Sequence, residues 1–323
     1  MKNKSRLTRR TFVRGLLGGA AAAGIGAKLS SAQDFAEFLT SEGAMVRRPL
    51  GKTGHDVCLF SLGGQATLEQ TGKEEEAVAI INRAIDLGVN YIDTAAAYGR
   101  GISERYIGTV MKSRRREVFL ASKTNDRSYD GSMRLLEQSL KNLQTDHLDL
   151  WQLHNVRTTE DLDKIFSDTG AIKALEKARS EKLVRFLGIT GHRDPIVLKV
   201  GIKRYSFDTI LMALNAADRH QASFIENLLP TAVKQKLGII GMKVPARGRI
   251  FREGGISTMD DAMGYVLTLP VSTVIVGIST LEELEQNVRI AQAFKPFSEE
   301  KMASLEKLTK PYHADAAWFK AQW

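Results

Sequence analysis

Eight short apolar runs alternate with longer helical patterns from about residue 45 onward, and this rhythm restricts the possible folds more than any other feature. Strands that alternate with helices imply a parallel sheet with right-handed crossovers, and eight such units favour closure into a barrel. The sequence therefore predicts an α/β fold, a (β/α)8 TIM barrel. The predicted strands are residues 57–64, 90–94, 118–123, 148–154, 186–190, 209–215, 238–243 and 273–277.

Two further segments complete the predicted fold. Residues 45–60 predict an N-terminal β-hairpin around the turn from Gly51 to Gly54, which would plug the bottom of the barrel. A doubly wound nucleotide-binding fold is the alternative, but no GxGxxG sequence opens a helix after the first strand. We also expect the C-terminal aromatic tail to dock over a barrel rim, through Tyr312, His313, Trp318, Phe319 and Trp323.

The net charge of +9 comes almost entirely from the first 32 residues. These residues hold seven of the 46 cationic side chains and no Asp or Glu, whereas residues 33–323 hold 39 cations and 37 carboxylates. A basic chain suggests binding to nucleic acid, because cations attract polyanions. Since the main part of the chain is nearly neutral, we expect no nucleic-acid partner.

The first 32 residues have the plan of an export signal. Arg9 and Arg10 precede the apolar Phe12, and a Gly/Ala-rich run from Gly15 to Ala27 leads to small residues that end at Ala32. That run is shorter than the roughly 20 apolar residues that span a bilayer. The segment resembles a twin-arginine (Tat) signal peptide, which implies export of the folded protein to the periplasm by the Tat translocation machinery, with no stable membrane anchor after cleavage. Residues 33–323 are predicted to form a single barrel domain, because no Pro/Ser-rich linker divides them.

Four polar side chains follow the predicted strands at the ends where such a barrel places its active groups. Because the carboxyl ends of parallel strands meet at one rim, we expect these side chains to share hydrogen bonds. Asp93 ends the second strand, Tyr98 lies in the loop after it, Lys123 ends the third strand and His154 ends the fourth.

These residue types suit proton donation to a carbonyl compound. Tyrosine alone has a pKa of about 10, and the ammonium group of Lys123 beside Tyr98 would favour the phenolate and lower that pKa. Asp93 would balance the lysine charge, and His154 could donate a hydrogen bond to the substrate oxygen. A proton donor and an oxyanion stabiliser without a nucleophile suit carbonyl reduction, in which hydride comes from an organic cofactor. We predict no metal in this site.

Several motifs together resemble the aldo/keto reductase superfamily, and they occur in family order over residues 45 to about 295. They are DTAAAYG with the following SE at residues 93–104, SKT around residue 123, LWQLHN around residue 154, the LGKTG hairpin, GMK from residue 241, and the late VGIST and QN segments. The resemblance implies reversible, NAD(P)H-dependent reduction of an aldehyde or ketone, sugar-type compounds included. Hydride would come from nicotinamide C4 and the proton from Tyr98.

The resemblance also implies cofactor contacts, some of which depart from the family pattern. Family members place Ser-Asn after the fifth strand to hold the nicotinamide amide, where this chain has Thr190 and Gly191. Met242 or Lys243 occupies the region in which many members stack an aromatic ring on the nicotinamide. The last strand and helix resemble the family's site for adenosine and its phosphate, and the contacts expected there are Gly277, Ile278, Ser279, Thr280, Glu283, Gln286 and Asn287.

The family favours NADP(H), which is the cofactor that we predict, with NAD(H) as the alternative. A ribose 2′-phosphate requires a cation, but Glu282, Glu283 and Glu285 crowd the last helix, and Glu283 stands where many members carry Arg. Lys243 and Arg247 are further candidates for phosphate contacts.

A protein of another class fits the same residues. An exported accessory or sensor protein could keep the nicotinamide pocket, make little use of catalysis, and bind a partner through its loops. The intact set of four catalytic candidates favours the enzyme. In this family the loops select the small-molecule carbonyl substrate, which here means residues 191–195, residues 245–255 and the C-terminal tail.

Overall fold

The computed structural model describes residues 45–322, in which ten strands and thirteen α-helices follow the predicted alternation. The strands are β1 (Arg47–Pro49), β2 (Asp56–Cys58), β3 (Phe60–Ala66), β4 (Tyr91–Asp93), β5 (Phe119–Thr124), β6 (Leu148–Leu153), β7 (Val184–Gly191), β8 (Thr209–Ala213), β9 (Gly238–Met242) and β10 (Thr273–Ile278). The helices are α1 (Glu74–Asp86), α2 (Ile102–Arg114), α3 (Tyr129–Leu143), α4 (Thr159–Ile165), α5 (Ala171–Ser180), α6 (Pro195–Arg204), α7 (Phe224–Asn227), α8 (Leu229–Lys234), α9 (Met259–Thr268), α10 (Leu281–Ala293), α11 (Glu299–Thr309), α12 (His313–Ala316) and α13 (Phe319–Gln322).

Strands β3 to β10 form a closed barrel of eight parallel strands in chain order. The barrel closes where β10 pairs with β3, with Val274 opposite Phe60. Every residue of β5, β6, β8 and β9 is buried, as expected for strands that face the barrel interior on one side and helices on the other. The predicted (β/α)8 barrel is therefore confirmed.

The predicted strand bounds differ from the observed ones most at the first strand. The first predicted strand is divided, because Asp56–Cys58 pairs in the hairpin and only Phe60–Ala66 belongs to the barrel. Helix α2 begins at Ile102, and Ser103 lies in its first turn. Gly101 precedes the helix with a φ of 84°, a left-handed conformation that glycine adopts readily, and the Ser103 hydroxyl bonds Thr94 Oγ1 at 2.8 Å.

The N-terminal hairpin closes the amino-terminal end of the barrel, as predicted. Strands β1 and β2 pair antiparallel, and Leu50 and Val57 are fully buried in the core cluster that includes Tyr91. The Arg48 guanidinium donates hydrogen bonds to the carbonyls of Val271 and Leu267, at 2.8 and 3.0 Å. These contacts fix the hairpin beneath the strands, so that ligands reach the site from the opposite end.

The C-terminal tail docks over the carboxyl-terminal end of the barrel. Tyr312, Trp318 and Phe319 are all buried. Tyr312 accepts a hydrogen bond from Ile256 N at 3.0 Å, and the Trp318 indole donates to the carbonyl of Ala246 at 3.3 Å. These contacts confirm the predicted docking, and Trp323 lies outside the described residues. The sequence analysis did not predict α11, which leads into the tail.

Within residues 45–322, no helix combines the length and apolar character needed to cross a membrane. The same residues contain no group of three or more His, Cys, Asp or Glu side chains arranged to hold a metal ion.

A buried ion pair fastens the tail to the loop after β8. The ammonium group of Lys320 lies 2.6 Å from Asp218 Oδ1 and donates to the carbonyls of Gln221 and Ala222, at 2.6 and 3.0 Å. Both side chains of the pair are almost fully buried. Removing the cation leaves the Asp218 carboxylate buried without its ionic partner, which is costly in an interior that water does not reach.

We expect Lys320→Met to lower the free energy of unfolding by about 3 kcal/mol, as measured by equilibrium urea denaturation. The control is Lys301→Met, because Lys301 pairs with Asp261 where both side chains are partly exposed. The free energy of unfolding of that variant should fall by about 0.5 kcal/mol. Equal losses in the two variants would contradict the prediction.

Candidate active site

The structure brings Asp93, Lys123 and Tyr98 together at the carboxyl-terminal end of the barrel. Neighbouring strands β4 and β5 place Asp93 opposite Ala121, so that Lys123 follows two residues later on the same face. The Lys123 ammonium forms an ion pair with Asp93 Oδ1 and donates to the carbonyl of Thr94 at 2.7 Å. It also lies 3.3 Å from the Tyr98 hydroxyl. Three of the four predicted residues therefore form one hydrogen-bonded group.

His154 completes the group through the ring of Tyr98. It follows β6 directly, and the two ring centroids are 5.6 Å apart in an edge-on arrangement. Its backbone amide donates to the carbonyl of Thr124 at 2.8 Å, which holds the residue at the strand end. The structure thus gathers all four residues that the sequence analysis selected.

A fifth side chain, Gln152, supports the group and was missed by the sequence analysis. Its amide donates to Asp93 Oδ2 at 3.0 Å, so that both carboxylate oxygens of Asp93 have a donor. Gln152 pairs with Lys123 in the sheet register. A signal was present, because Gln152 is a polar residue in an apolar strand and precedes His154 by two positions, which puts both on one face.

Glycines place Tyr98 over the site. Tyr98 begins a single 3₁₀ turn, in which Gly99 and Gly101 have φ values of 55° and 84°. A side chain at Gly99 would also press against the backbone of Glu69. The turn therefore depends on glycine, and it returns the chain to α2 with the phenol directed towards Lys123.

Burial changes the expected proton affinity of the tyrosine. Burial raises the pKa of Tyr98 above its usual value of 10, and the nearby charge of Lys123 opposes that rise only in part. The sequence expectation of a lowered pKa for Tyr98 is therefore wrong in its net direction. Burial alone would lower the pKa of Lys123, but the negative charge of Asp93 outweighs it, and the pKa is raised. Lys123 is a permanent cation at neutral pH.

His154 is electrically neutral in this setting. Burial, followed by the positive charges of Lys123 and Arg127, holds the pKa of His154 well below its ordinary value. A neutral imidazole can donate one hydrogen bond without changing the charge of the site. Such a group can orient a carbonyl oxygen beside the Tyr98 hydroxyl.

A cavity of about 680 Å³ opens beside Tyr98 and Asp93. It extends past the ends of β3 and β10 to the first turns of α10, where Glu283, Gln286 and Asn287 line it. Ligand sites in proteins commonly measure about 300 to 1,000 Å³. The cavity therefore joins the catalytic candidates to the predicted adenosine site. Of the residues predicted to bind the cofactor, it is lined by Met242, Lys243, Gly277, Ser279, Glu283, Gln286 and Asn287.

Three predicted cofactor contacts do not line this cavity. Thr190 is fully buried, and its hydroxyl accepts a hydrogen bond from Asn155 N at 2.8 Å. Ile278 is also fully buried. Thr280 precedes α10 and caps it, because its hydroxyl accepts a hydrogen bond from Glu283 N at 3.2 Å. These three residues shape the surroundings of the cavity in this structure.

Two lysines bring positive charge near the catalytic end of the cavity. Lys243 has a left-handed backbone conformation, with a φ of 64°. Burial, together with the positive charges of Arg247 and Lys123, lowers the pKa of Lys243 to about 7. Lys243 therefore gains or loses its charge near neutral pH, unlike Lys123.

The lining fits a nicotinamide dinucleotide by its chemistry. Met242, 6% exposed, offers an apolar surface at the barrel mouth for a flat ring. At the other end, Asn287 is 5% exposed and lines the cavity beside Gln286. Their carboxamides can both donate hydrogen bonds to a polar ligand and accept them from it. The cavity thus has an apolar surface near the proton donor and a polar surface at its far end.

The barrel and its site together fit an oxidoreductase that uses a nicotinamide cofactor. The sequence profile of the aldo/keto reductase family matches residues 60–253. This chain belongs to the aldo/keto reductase family. Members reduce carbonyl compounds with NAD(P)H, and that activity is the function of this protein.

Individual relatives extend over most of the chain. It is 27% identical to the uncharacterized oxidoreductase YqkF of Bacillus subtilis, over 82% of this chain and 97% of that protein. It is also 27% identical to L-galactose dehydrogenase of Arabidopsis thaliana, over 82% of this chain and 94% of that protein.

Solved structures show the same architecture. The holo form of the aldo-keto reductase AKR11C1 from Bacillus halodurans superimposes with a TM-score of 0.69 at 26% identity, covering 82% of this chain and 96% of that chain. An aldo-keto reductase from Klebsiella pneumoniae in complex with NADPH has a TM-score of 0.69 and the same coverage at 23% identity. At 23% identity, the similarity to the Klebsiella pneumoniae protein shows a shared fold alone.

The directions of these pKa shifts predict a flat pH profile for carbonyl reduction. The raised pKa of Tyr98 keeps the phenol protonated, and the lowered pKa of His154 keeps the imidazole neutral, from about pH 6 to 9. We therefore expect a constant rate of reduction over that range, measured in single turnovers at saturating substrate and cofactor. A sigmoidal fall centred near pH 7 would contradict the flat profile, and its disappearance in Lys243→Met would assign it to Lys243, whose pKa is about 7.

Proposed function

We propose that this aldo/keto reductase reduces a sugar-type aldehyde or ketone to the alcohol, with Tyr98 as the proton donor. The observation that carries the proposal is the Tyr98 hydroxyl, which lies 3.3 Å from the Lys123 ammonium beside a cavity of about 680 Å³. When bound, the nicotinamide dinucleotide supplies a hydride. The protein's own residues supply the proton and fix the geometry.

Each of the four side chains has a separate task in this scheme. Tyr98 donates its phenolic proton to the carbonyl oxygen as negative charge develops there. Lys123 stabilises the phenolate that remains, because it stays cationic at 3.3 Å. Asp93 holds the ammonium in place, and neutral His154 orients the carbonyl oxygen towards Tyr98.

The cofactor would lie along the lining described above. Met242 would cover one face of the nicotinamide near Tyr98, and Gln286 and Asn287 would meet the adenosine. The backbone amide of Ser279 is a predicted phosphate contact, but it already donates to Glu283 Oε2 at 2.7 Å. NADP(H), the cofactor favoured by family membership, stays a prediction.

Similarity to sugar-converting relatives supports the sugar-type substrate. L-galactose dehydrogenase is 27% identical over 82% of this chain, and D-threo-aldose 1-dehydrogenase of a Pseudomonas species is 28% identical over 53%. A small polar substrate also suits the charged rim, where Lys243 and Arg247 line the cavity.

Replacing Tyr98 with Phe tests the mechanism. We expect the rate of reduction over a panel of aldoses and simple aldehydes to fall by about 10² to 10⁴, because the general acid is lost. Cofactor binding, followed by protein fluorescence, should change by less than about threefold, since only a hydroxyl is removed. Tyr205→Phe is the matched control, because its hydroxyl accepts a hydrogen bond from Arg179 at an exposed site, and neither residue lines the cavity.

Intact turnover in Tyr98→Phe would refute the assigned role. Tight dinucleotide binding by the unaltered protein, without turnover of any carbonyl compound, would instead favour the accessory or sensor protein.

Export by the Tat machinery is the second part of this proposal. It rests on the sequence of residues 1–32, which lie outside the described residues, with residues 33–323 as the exported barrel domain. A chain that is exported already folded could carry its dinucleotide across the membrane, and would reduce one substrate while oxidising another. We expect Arg9→Lys combined with Arg10→Lys to retain the protein in the cytoplasm, as measured by cell fractionation and the size of the mature chain. Unchanged distribution would refute this route.

A further inference from the structure

The catalytic end of the cavity is lined by charges of both signs, including Glu69, which interacts electrostatically with Lys243. Lys243 and Arg247 line it after β9, and Lys243 interacts electrostatically with Lys123 at the catalytic end. The end formed by α10 is lined by Glu283, Gln286 and Asn287. A dinucleotide whose reactive ring lies beside Tyr98 must place its adenosine at this second end, because the cavity extends in that direction.

The start of α10 already holds a negative charge of the chain itself. Glu283 Oε2 accepts a hydrogen bond from Ser279 N at 2.7 Å, and Thr280 Oγ1 accepts one from Glu283 N at 3.2 Å. A helix start can bind phosphate through amides of this kind. Here two of those amides donate to side-chain oxygens, so that a phosphate group would meet a carboxylate instead of free donors.

Within residues 45–322, no ion pair neutralises Glu283, because the cation beside α10 is paired with another carboxylate. Arg83, which packs against the helix, forms an ion pair with Glu285 at 2.6 Å. Glu282 adds another carboxylate to the same turn. Of these carboxylates, Glu283 is the one that lines the cavity.

The polar groups at this end suit an uncharged sugar. Asn287 is 5% exposed and lines the cavity. A carboxamide both donates and accepts, as do the hydroxyls of a ribose. In dinucleotide-binding folds, an acidic side chain accepts a hydrogen bond from the ribose 2′-hydroxyl of NAD, whereas a 2′-phosphate is met by arginine.

We propose that Glu283 selects a ribose with a free 2′-hydroxyl, so that this protein binds NAD(H) in preference to NADP(H). Glu283 accepts a hydrogen bond from the 2′-hydroxyl and repels a 2′-phosphate, and Asn287 bonds the same nucleoside. The inference rests on the proposed function, since a protein that binds no dinucleotide has no such preference. It overrides the choice that family membership alone suggests.

Titration of the full chain with NADH and with NADPH, followed by cofactor fluorescence at low ionic strength, tests the proposal. We expect NADH to bind at least tenfold more tightly than NADPH, equivalent to about 1.4 kcal/mol. Glu283→Gln should reduce the ratio of the NADPH to the NADH dissociation constant to about threefold or less, chiefly by strengthening NADPH binding. Glutamine keeps an oxygen for the Ser279 amide, so the helix start is preserved.

Glu282→Gln is the matched control, because it removes the same charge from the neighbouring residue, which does not line the cavity. The ratio of the NADPH to the NADH dissociation constant in Glu282→Gln should stay within about twofold of the ratio in the unaltered protein. Added salt should also narrow the ratio in the unaltered protein, because repulsion between exposed charges is screened. The salt measurement uses only the unaltered protein, so its result does not depend on whether a variant folds.

The outcomes separate the two proposals. If neither dinucleotide binds, the proposed function fails. If both bind and NADPH is equal or tighter, the function stands and the preference is overturned. If Glu283→Gln weakens both dinucleotides equally, Glu283 acts only as a helix cap, and the selective role is likewise overturned.

Discussion

The buried ion pair between Lys123 and Asp93 is the constraint on which the site depends. Each side chain is 1% exposed, so either charge alone would be very costly in the barrel interior. The pair is acceptable because Gln152 and the carbonyl of Thr94 satisfy the remaining polar atoms. This arrangement requires β4, β5 and β6 in one register, which the closed barrel enforces. The same scaffold therefore supplies stability and a fixed cation beside Tyr98.

Burial determines the charge states of the catalytic candidates. A free tyrosine beside a lysine would lose its proton more easily, yet burial of Tyr98 has the larger effect. The result is a proton donor next to a permanent cation, with a neutral imidazole across the ring. This combination favours the state in which the phenol donates and its anion is then stabilised.

The sequence predicts the barrel well because each strand is apolar and each helix is periodic. It predicts Asp93, Tyr98, Lys123 and His154 because strand ends converge in a parallel barrel. Gln152 was not predicted as part of the site, because a single polar residue within a strand does not indicate a function by itself. The split of residues 57–64 and the start of α2 depend on local backbone geometry. The cap at the start of α10 has the spacing of a capping box, from Thr280 to Glu283, so a signal for it was present in the sequence although it was not used.

The seam between β10 and β3 has a consequence for how the molecule is made. Val274 pairs with Phe60 across more than two hundred residues, so the barrel cannot close until nearly all of it has been synthesised. Until then, β3 and the most recently made strand present unpaired backbone edges, and such edges invite association with other chains. Long-range pairing of this kind is also slow to form. Avoiding aggregation during synthesis therefore depends on protecting these two edges until the last strand arrives.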